Sequence, residues 1–168
     1  SGEGVQSQIW WNETDKTLTL GTAENATDYG KLVLDSAGGF SGVNADIYGT
    51  SSIVAQKTEF ASMNFKTLDM ASGTSVKILD GDSSKTNMNI GANSTIAGTV
   101  DANNSNIYFT SGIVITNTGG SISAKQMKVL NPADGTPALT IKGGSVSGEF
   151  IPATDADQNP VATTIKME

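Results

Sequence analysis

Short groups of aliphatic and β-branched residues recur along the whole chain, and turn-forming residues separate them. Most groups are only three to five residues long, as at 31–34, 76–79 and 139–141, and Gly, Asn, Asp or Ser interrupts them, as at 38–39 and 91–93. Short runs bounded by turn formers are typical of β-strands. Gly, Ser, Thr and Asn make up 70 of the 168 residues, a mixture that disfavours long helices. We therefore predict an all-β chain with almost no helix.

The spacing of apolar residues in the middle of the chain favours stacked short strands. Single Ile or Val residues recur there at intervals of about six residues, without a strict repeat. These residues are Ile90, Ile96, Val100, Ile107, Ile113 and Ile122. We predict a parallel β-helix, or β-solenoid, of roughly 20 residues per turn and about eight turns, with Ile and Val in internal columns. The alternative is an antiparallel β-sandwich, because antiparallel strand pairs are the commoner kind.

The length of 168 residues fits a single domain, 1–168. A solenoid needs caps at its ends, because each turn buries its apolar face against its neighbours. Trp10 and Trp11, the two tryptophans, lie beside Ile9, and we predict that they form an apolar plug within an N-terminal cap of about residues 1–20. The last segment, about 151–168, contains prolines and acidic residues and is predicted to be irregular.

Three residue types are missing, and their absence excludes several chemistries. The chain has no Cys, no His and no Arg. It therefore lacks the residues for a Ser-His-Asp relay, for an ordinary zinc site and for a bidentate phosphate clamp. The net charge of -7 and the pI near 4.4 would repel nucleic acid. We expect neither an enzyme nor a nucleic-acid-binding protein, and we expect no membrane insertion by this chain, since no apolar run approaches about 20 residues.

One stretch near the C-terminus resembles the first half of a calcium-binding loop. Asp155, Asp157 and Asn159 place oxygen-bearing side chains at alternate positions, as calcium ligands often stand. Pro160 and Lys166 stand where a complete EF-hand loop needs Gly and Glu, which excludes that motif. A looser calcium site on Asp155, Asp157 and Asn159 is the metal prediction, and no other cofactor is expected.

Carboxylates are the remaining candidates for catalysis, because a pair of them can cleave a glycosidic bond. The pairs visible in the sequence are Asp80 with Asp82, and Asp155 with Asp157. In both pairs the residues stand two apart beside turn formers, which is the ordinary position of solvated Asp. Tyr48 and Tyr108 are further candidates, because an exposed aromatic ring can stack on a sugar.

Three runs look like the rungs of a known kind of domain: GANSTIAGTVDA at 91–102, IVITNTGGSI at 113–122 and ALTIKGGSVSG at 138–148. They resemble the right-handed β-helical passenger domains of bacterial autotransporters and related surface adhesins. The resemblance implies an extracellular or bacterial cell-surface location and a role in adhesion. It supplies no individual functional residues.

The first functional hypothesis is a fragment that presents a polar β-helical face for binding. Its partner would be a glycan, a cell-surface protein or a second copy of the same chain. One alternative is a glycan-cleaving β-helical enzyme, in which carboxylates converge from neighbouring turns, or a module of the phage tail-fibre type. The other alternative is a passive structural spacer.

Overall fold

A computed structural model describes residues 8–34, 38–56, 61–79, 86–132 and 137–168. These residues form strands and no helix, which confirms the all-β prediction. The strands are β1 (Ile9–Asn12), β2 (Thr17–Leu20), β3 (Lys31–Leu34), β4 (Gly38–Ile47), β5 (Ser52–Ala55), β6 (Ala61–Met70), β7 (Ser75–Ile78), β8 (Thr86–Ile90), β9 (Ser94–Ile96), β10 (Thr99–Thr110), β11 (Ile113–Asn117), β12 (Ser121–Leu130), β13 (Leu139–Lys142), β14 (Ser145–Phe150), β15 (Ala153–Thr154), β16 (Pro160–Val161) and β17 (Ile165–Met167).

The strands stack in three parallel columns, which we call faces A, B and C. Face A contains β3, β5, β7 and the first halves of β10, β12 and β14. Face B contains the first halves of β4 and β6, then β8, and the second halves of β10, β12 and β14. Face C contains β2, the second halves of β4 and β6, then β9, β11, β13 and β17. The chain visits A, B and C in turn, so the fold is a parallel β-solenoid.

The solenoid has about six turns, and the sequence prediction of about eight was wrong. On face A, the successive partners Ile53, Val76, Val100 and Ile122 stand 22 to 24 residues apart. Three strands and three corners need more residues than the predicted 20. Among the described strands, only β1 with β2 and β15 with β16 pair antiparallel, which excludes the sandwich.

Alternation along each strand fills the interior with apolar side chains. The six apolar residues singled out in the sequence are all buried, which confirms that they face inward. They lie on faces B, C, A, B, C and A in that order, so their spacing of about six residues marks the passage from one face to the next. One internal column on face B consists of Phe40, Met63, Met88, Ile107, Met127 and Phe150. Each fully buried side chain of this size contributes about 1.5 to 3 kcal/mol.

Glycines allow the coils to approach closely at the corner between faces C and A. A Cβ atom on Gly98 would lie 2.4 Å from the carbonyl oxygen of Thr74 in the preceding coil. A Cβ atom on Gly120 would lie 2.4 Å from the carbonyl oxygen of Gly98. At Gly98 and Gly120 the backbone of one coil therefore lies directly against the preceding coil, with no room for a side chain between them.

The N-terminal hairpin does not place its tryptophans as a plug. Strand β1 pairs antiparallel with β2 and so covers the first edge of face C with backbone. Trp10 and Trp11 are 49% and 48% exposed, and Ile9 is 39% exposed. The prediction of a buried apolar plug was wrong: alternation along the strand puts only one of two neighbouring rings on the inward side, and both rings are about half exposed.

The C-terminal segment is more ordered than the sequence predicted. Residues 153–161 contain the short antiparallel hairpin of β15 and β16, and β17 then pairs parallel with β13. The last strand therefore belongs to face C, and only the part before it departs from the solenoid.

Candidate ligand-binding face

The residues of the predicted calcium site lie in the loop between β15 and β16. The Asp155 carboxylate accepts hydrogen bonds from the backbone N–H groups of Asp157 and Asn159, both at 2.9 Å, and from the Asn159 side-chain amide at 3.4 Å. The backbone N–H of Asn159 is the main cause of the lowered pKa of Asp155. Asp155 thus stabilises the loop, as Asp commonly does in turns.

Calcium binding there stays a prediction. Asp155 is already engaged with the loop backbone, and the described part of the chain contains no group of three or more His, Cys, Asp or Glu residues that could hold a metal. Asp155 and Asp157 are also one of the two candidate catalytic pairs, and the same hydrogen bonds hold Asp155 to the loop. The other pair, Asp80 with Asp82, lies outside the described residues.

The candidate binding surface is a continuous row of outward-pointing side chains along face C. Each member lies beside the next in register on neighbouring strands, and we call the set the face C row. It consists of Trp10, Thr19, Asp46, Asp69, Thr95, Thr116, Lys142 and Glu168. Seven strand spacings of about 4.8 Å give it a length of about 34 Å. The row is therefore long enough for an extended partner.

Two carboxylates lie next to each other in the face C row. Asp46 on β4 pairs in register with Asp69 on β6. Partial burial raises the pKa of Asp46, and repulsion from the Asp69 carboxylate raises it further. Asp69 Oδ1 accepts a hydrogen bond of 2.9 Å from the backbone N–H of Thr95, which holds its carboxylate against the next coil. The two aspartates are 23 residues apart in sequence, and they lie side by side because this distance equals the length of one coil.

The two tryptophans lie on opposite sides of the β1–β2 hairpin. Trp11 pairs with Leu18, a core residue, and so lies on the inward side, where its Nε1–H donates a hydrogen bond of 2.8 Å to Glu13 Oε2. Trp10 pairs with Thr19, whose side chain points outward. Trp10 is therefore the aromatic end of the face C row.

A second outward row runs beside the first and is held by hydrogen bonds within the protein. The Asn44 amide donates to the backbone carbonyl of Asp15 at 3.0 Å, and the Thr67 hydroxyl donates to Asn44 Oδ1 at 3.0 Å. Further along, Asn93 Oδ1 accepts from the backbone N–H of Val114 at 2.8 Å. These bonds between coils fix the side chains that border the face C row.

The two tyrosines considered for sugar stacking are both half-buried. Tyr108 lies on face B, and its hydroxyl accepts a hydrogen bond of 3.1 Å from the Asn106 amide. Tyr48 follows β4 and lines a groove of about 420 Å³ together with Thr22, Ala26 and Ala71. Burial raises the pKa of Tyr48, and the charges of Asp46, Asp69 and Glu24 add to the rise.

A second groove, also of about 420 Å³, follows the corner between faces C and A. Its walls carry the hydroxyls of Ser75, Thr99, Ser121 and Ser145, which come from four successive coils in register. Its floor is the glycine backbone of the corner. The groove can hydrogen-bond a ligand, but it lacks an aromatic ring or a carboxylate to select one.

Sequence reasoning missed the Asp46–Asp69 pair and the outward position of Trp10. The available signal was the distance of 23 residues between the two aspartates, which equals the distance between Ile53 and Val76. Without a strict sequence repeat, that coincidence does not identify a coil. The side on which Trp10 lies depends on the register of β1 against β2, which the sequence does not determine.

Within the described ranges, no helix is long and apolar enough to cross a membrane. Comparison with known proteins adds no relative: no protein-family model, no curated protein and no solved structure matches the chain. The resemblance to autotransporter passenger domains accordingly stays a prediction from the sequence.

Proposed function

We propose that this chain is a non-catalytic adhesion module that binds an extended partner along face C. The observation that carries the proposal is the face C row, in which side chains from seven strands, and from Glu168 directly after β17, lie in register on one side of the stack. A row of this kind offers many weak contacts, each net hydrogen bond contributing about 0.5 to 1.5 kcal/mol. Useful affinity then comes from their number and from repetition over many molecules on a surface.

An extracellular or bacterial cell-surface location belongs to the same proposal. Its support is the resemblance of the three runs at 91–102, 113–122 and 138–148 to the rungs of surface adhesins. Binding fits the composition better than catalysis does, because the chain has no imidazole, thiol or guanidinium group.

The test compares two double variants that are matched in charge and position. Thr95→Arg with Thr116→Arg places two long side chains over the face C row, on neighbouring coils in register. Ser123→Arg with Ser147→Arg does the same on face A, also in register. We expect the face C variant to lower binding about tenfold or more, and the face A variant to bind like the parent. Binding is measured on a panel of soluble polysaccharides and on whole cells, and self-association by sedimentation.

Equal effects of the two variants would contradict the proposal. A parent chain that binds none of these partners would support the passive spacer instead.

One observation favours the rival function, cleavage of a glycan. Asp46 and Asp69 lie on adjacent strands, and the raised pKa of Asp46 would suit a general acid. Release of reducing ends that is abolished in Asp46→Asn and in Asp69→Asn, but persists in Asp101→Asn on face A, would establish that function. We expect no release by the parent chain.

A further inference from the structure

We infer that Trp10 and the adjoining part of the face C row form a binding site for a neutral glycan, with one sugar ring stacked on the Trp10 indole. This inference rests on the proposed function and deepens it, because it names the ligand class and the end of the row where binding is strongest. Trp10, Thr19, Asp46 and Asp69 make up the site.

The position of Trp10 supports a role in binding. The side chain is 49% exposed although it is the largest apolar residue type, and it lies on the outward side of β1. An indole has a wide apolar face and only two side-chain torsions to fix, so it supplies contact area at low entropic cost. One side of a sugar ring presents only C–H groups, and these pack against such a face.

The neighbours of Trp10 supply the hydrogen bonds that such a ring needs. Thr19 lies directly across from it, and Asp46 lies one strand further, about 10 Å from Trp10 across two strand spacings. None of the described residues donates a hydrogen bond to the Asp46 carboxylate, so both of its oxygens can accept from sugar hydroxyls. Hydrogen bonds to an ionised carboxylate are roughly twice as strong as neutral ones.

The charge of the site selects a neutral glycan over an acidic one. Asp46 and Asp69 lie side by side, and the one cation of the row, Lys142, lies near its other end. A uronate or sulfate group placed over Trp10 would meet two carboxylates and no nearby cation in the row. Repulsion at such distances, on a chain of net charge -7, disfavours polyanions.

Trp11 provides a matched control, because it has the same side chain, the same exposure and the neighbouring position, but faces the other side of the hairpin. We expect Trp10→Ala to lower affinity for at least one of xyloglucan, galactomannan and mixed-linkage β-glucan about tenfold or more. Trp11→Ala should stay within twofold of the parent, and Trp10→Phe should recover part of the loss. Polygalacturonate should not be retained. Thermal unfolding of each variant checks that the fold is kept.

Tryptophan fluorescence gives a second measurement. The neutral glycan should change the emission of the parent and of Trp11→Ala, and leave that of Trp10→Ala unchanged. Equal losses in both alanine variants, full binding by Trp10→Ala, or no binding of any neutral polysaccharide would overturn the inference. If the double arginine variant on face C loses binding while Trp10→Ala does not, the proposed function stands and this inference fails.

Discussion

At the scale of single residues, glycine is required here for two separate reasons. Gly120 has an ordinary backbone conformation, but a Cβ atom on it would lie 2.4 Å from the carbonyl oxygen of Gly98. Gly119 has a φ of +88°, which L side chains rarely adopt, but a Cβ atom on it would meet open space. Gly120 is thus required because a side chain would clash, and Gly119 because of its backbone conformation.

The comparison of Gly120→Ala with Gly119→Ala measures the two effects. We expect Gly119→Ala to lower the free energy of unfolding by about 1 to 2 kcal/mol, the cost of a left-handed conformation. Gly120→Ala should cost about 3 kcal/mol or more, because the neighbour is backbone and cannot rotate away. Urea unfolding followed by circular dichroism gives both values. A smaller loss for Gly120→Ala would mean that the coils can separate at this corner.

At the scale of the strands, the sequence predicts which side chains point inward along each strand. It does not predict which residues lie side by side on neighbouring coils, because that depends on the number of residues in each coil. The alternation and the turn formers around Ile113 and Leu139 suffice to predict strands, and both residues are buried as expected. The pairing of Asp46 with Asp69 depends on how many residues each corner and loop takes up. Those lengths vary from coil to coil, so the sequence predicts inward positions well and neighbours between coils poorly.

The register of β4 against β6 leads to a dependence of stability on pH. Because the folded pKa of Asp46 is raised, the folded chain binds its proton more tightly than the unfolded chain does. The ionised carboxylate therefore destabilises the fold above that raised pKa, and the cost disappears as the pH falls toward the ordinary value of 3.8. We expect Asp46→Asn to melt higher than the parent at pH 7 and to lose this advantage near pH 3.5.

Asp101→Asn is the control, since Asp101 faces Lys77 across the strands of face A and not another carboxylate. It should show no gain at pH 7. An advantage of Asp46→Asn that persists unchanged to pH 3.5 would show that its origin is not the charge.

At the scale of the whole molecule, a solenoid distributes stability along its axis. Each coil contacts only the coils next to it, so strands covered on both sides open less readily than those covered on one. Strand β10 lies between β7 and β8 on one side and β12 on the other, whereas β5 is the only partner of β3 among the strands that the structure describes.

Amide hydrogen exchange tests this gradient. We expect the amides of β10 and of the adjoining β12 to exchange more slowly than those of β3, because opening them disrupts two interfaces between coils. The measurement is exchange followed by mass spectrometry of overlapping peptides at neutral pH. Equal protection along the axis would indicate a single cooperative unit.

The antiparallel strand at the start of face C also affects how such molecules can aggregate. A stack of parallel strands is a template on which a further strand of the same direction can add, as in the growth of amyloid. Strand β1 runs against β2 and so reverses the direction of the edge at this end of the column. A second copy whose strands run in the same direction as the existing coils would meet β1, which runs in the opposite direction. Face C therefore cannot be extended past β1 by repeating its parallel pairing.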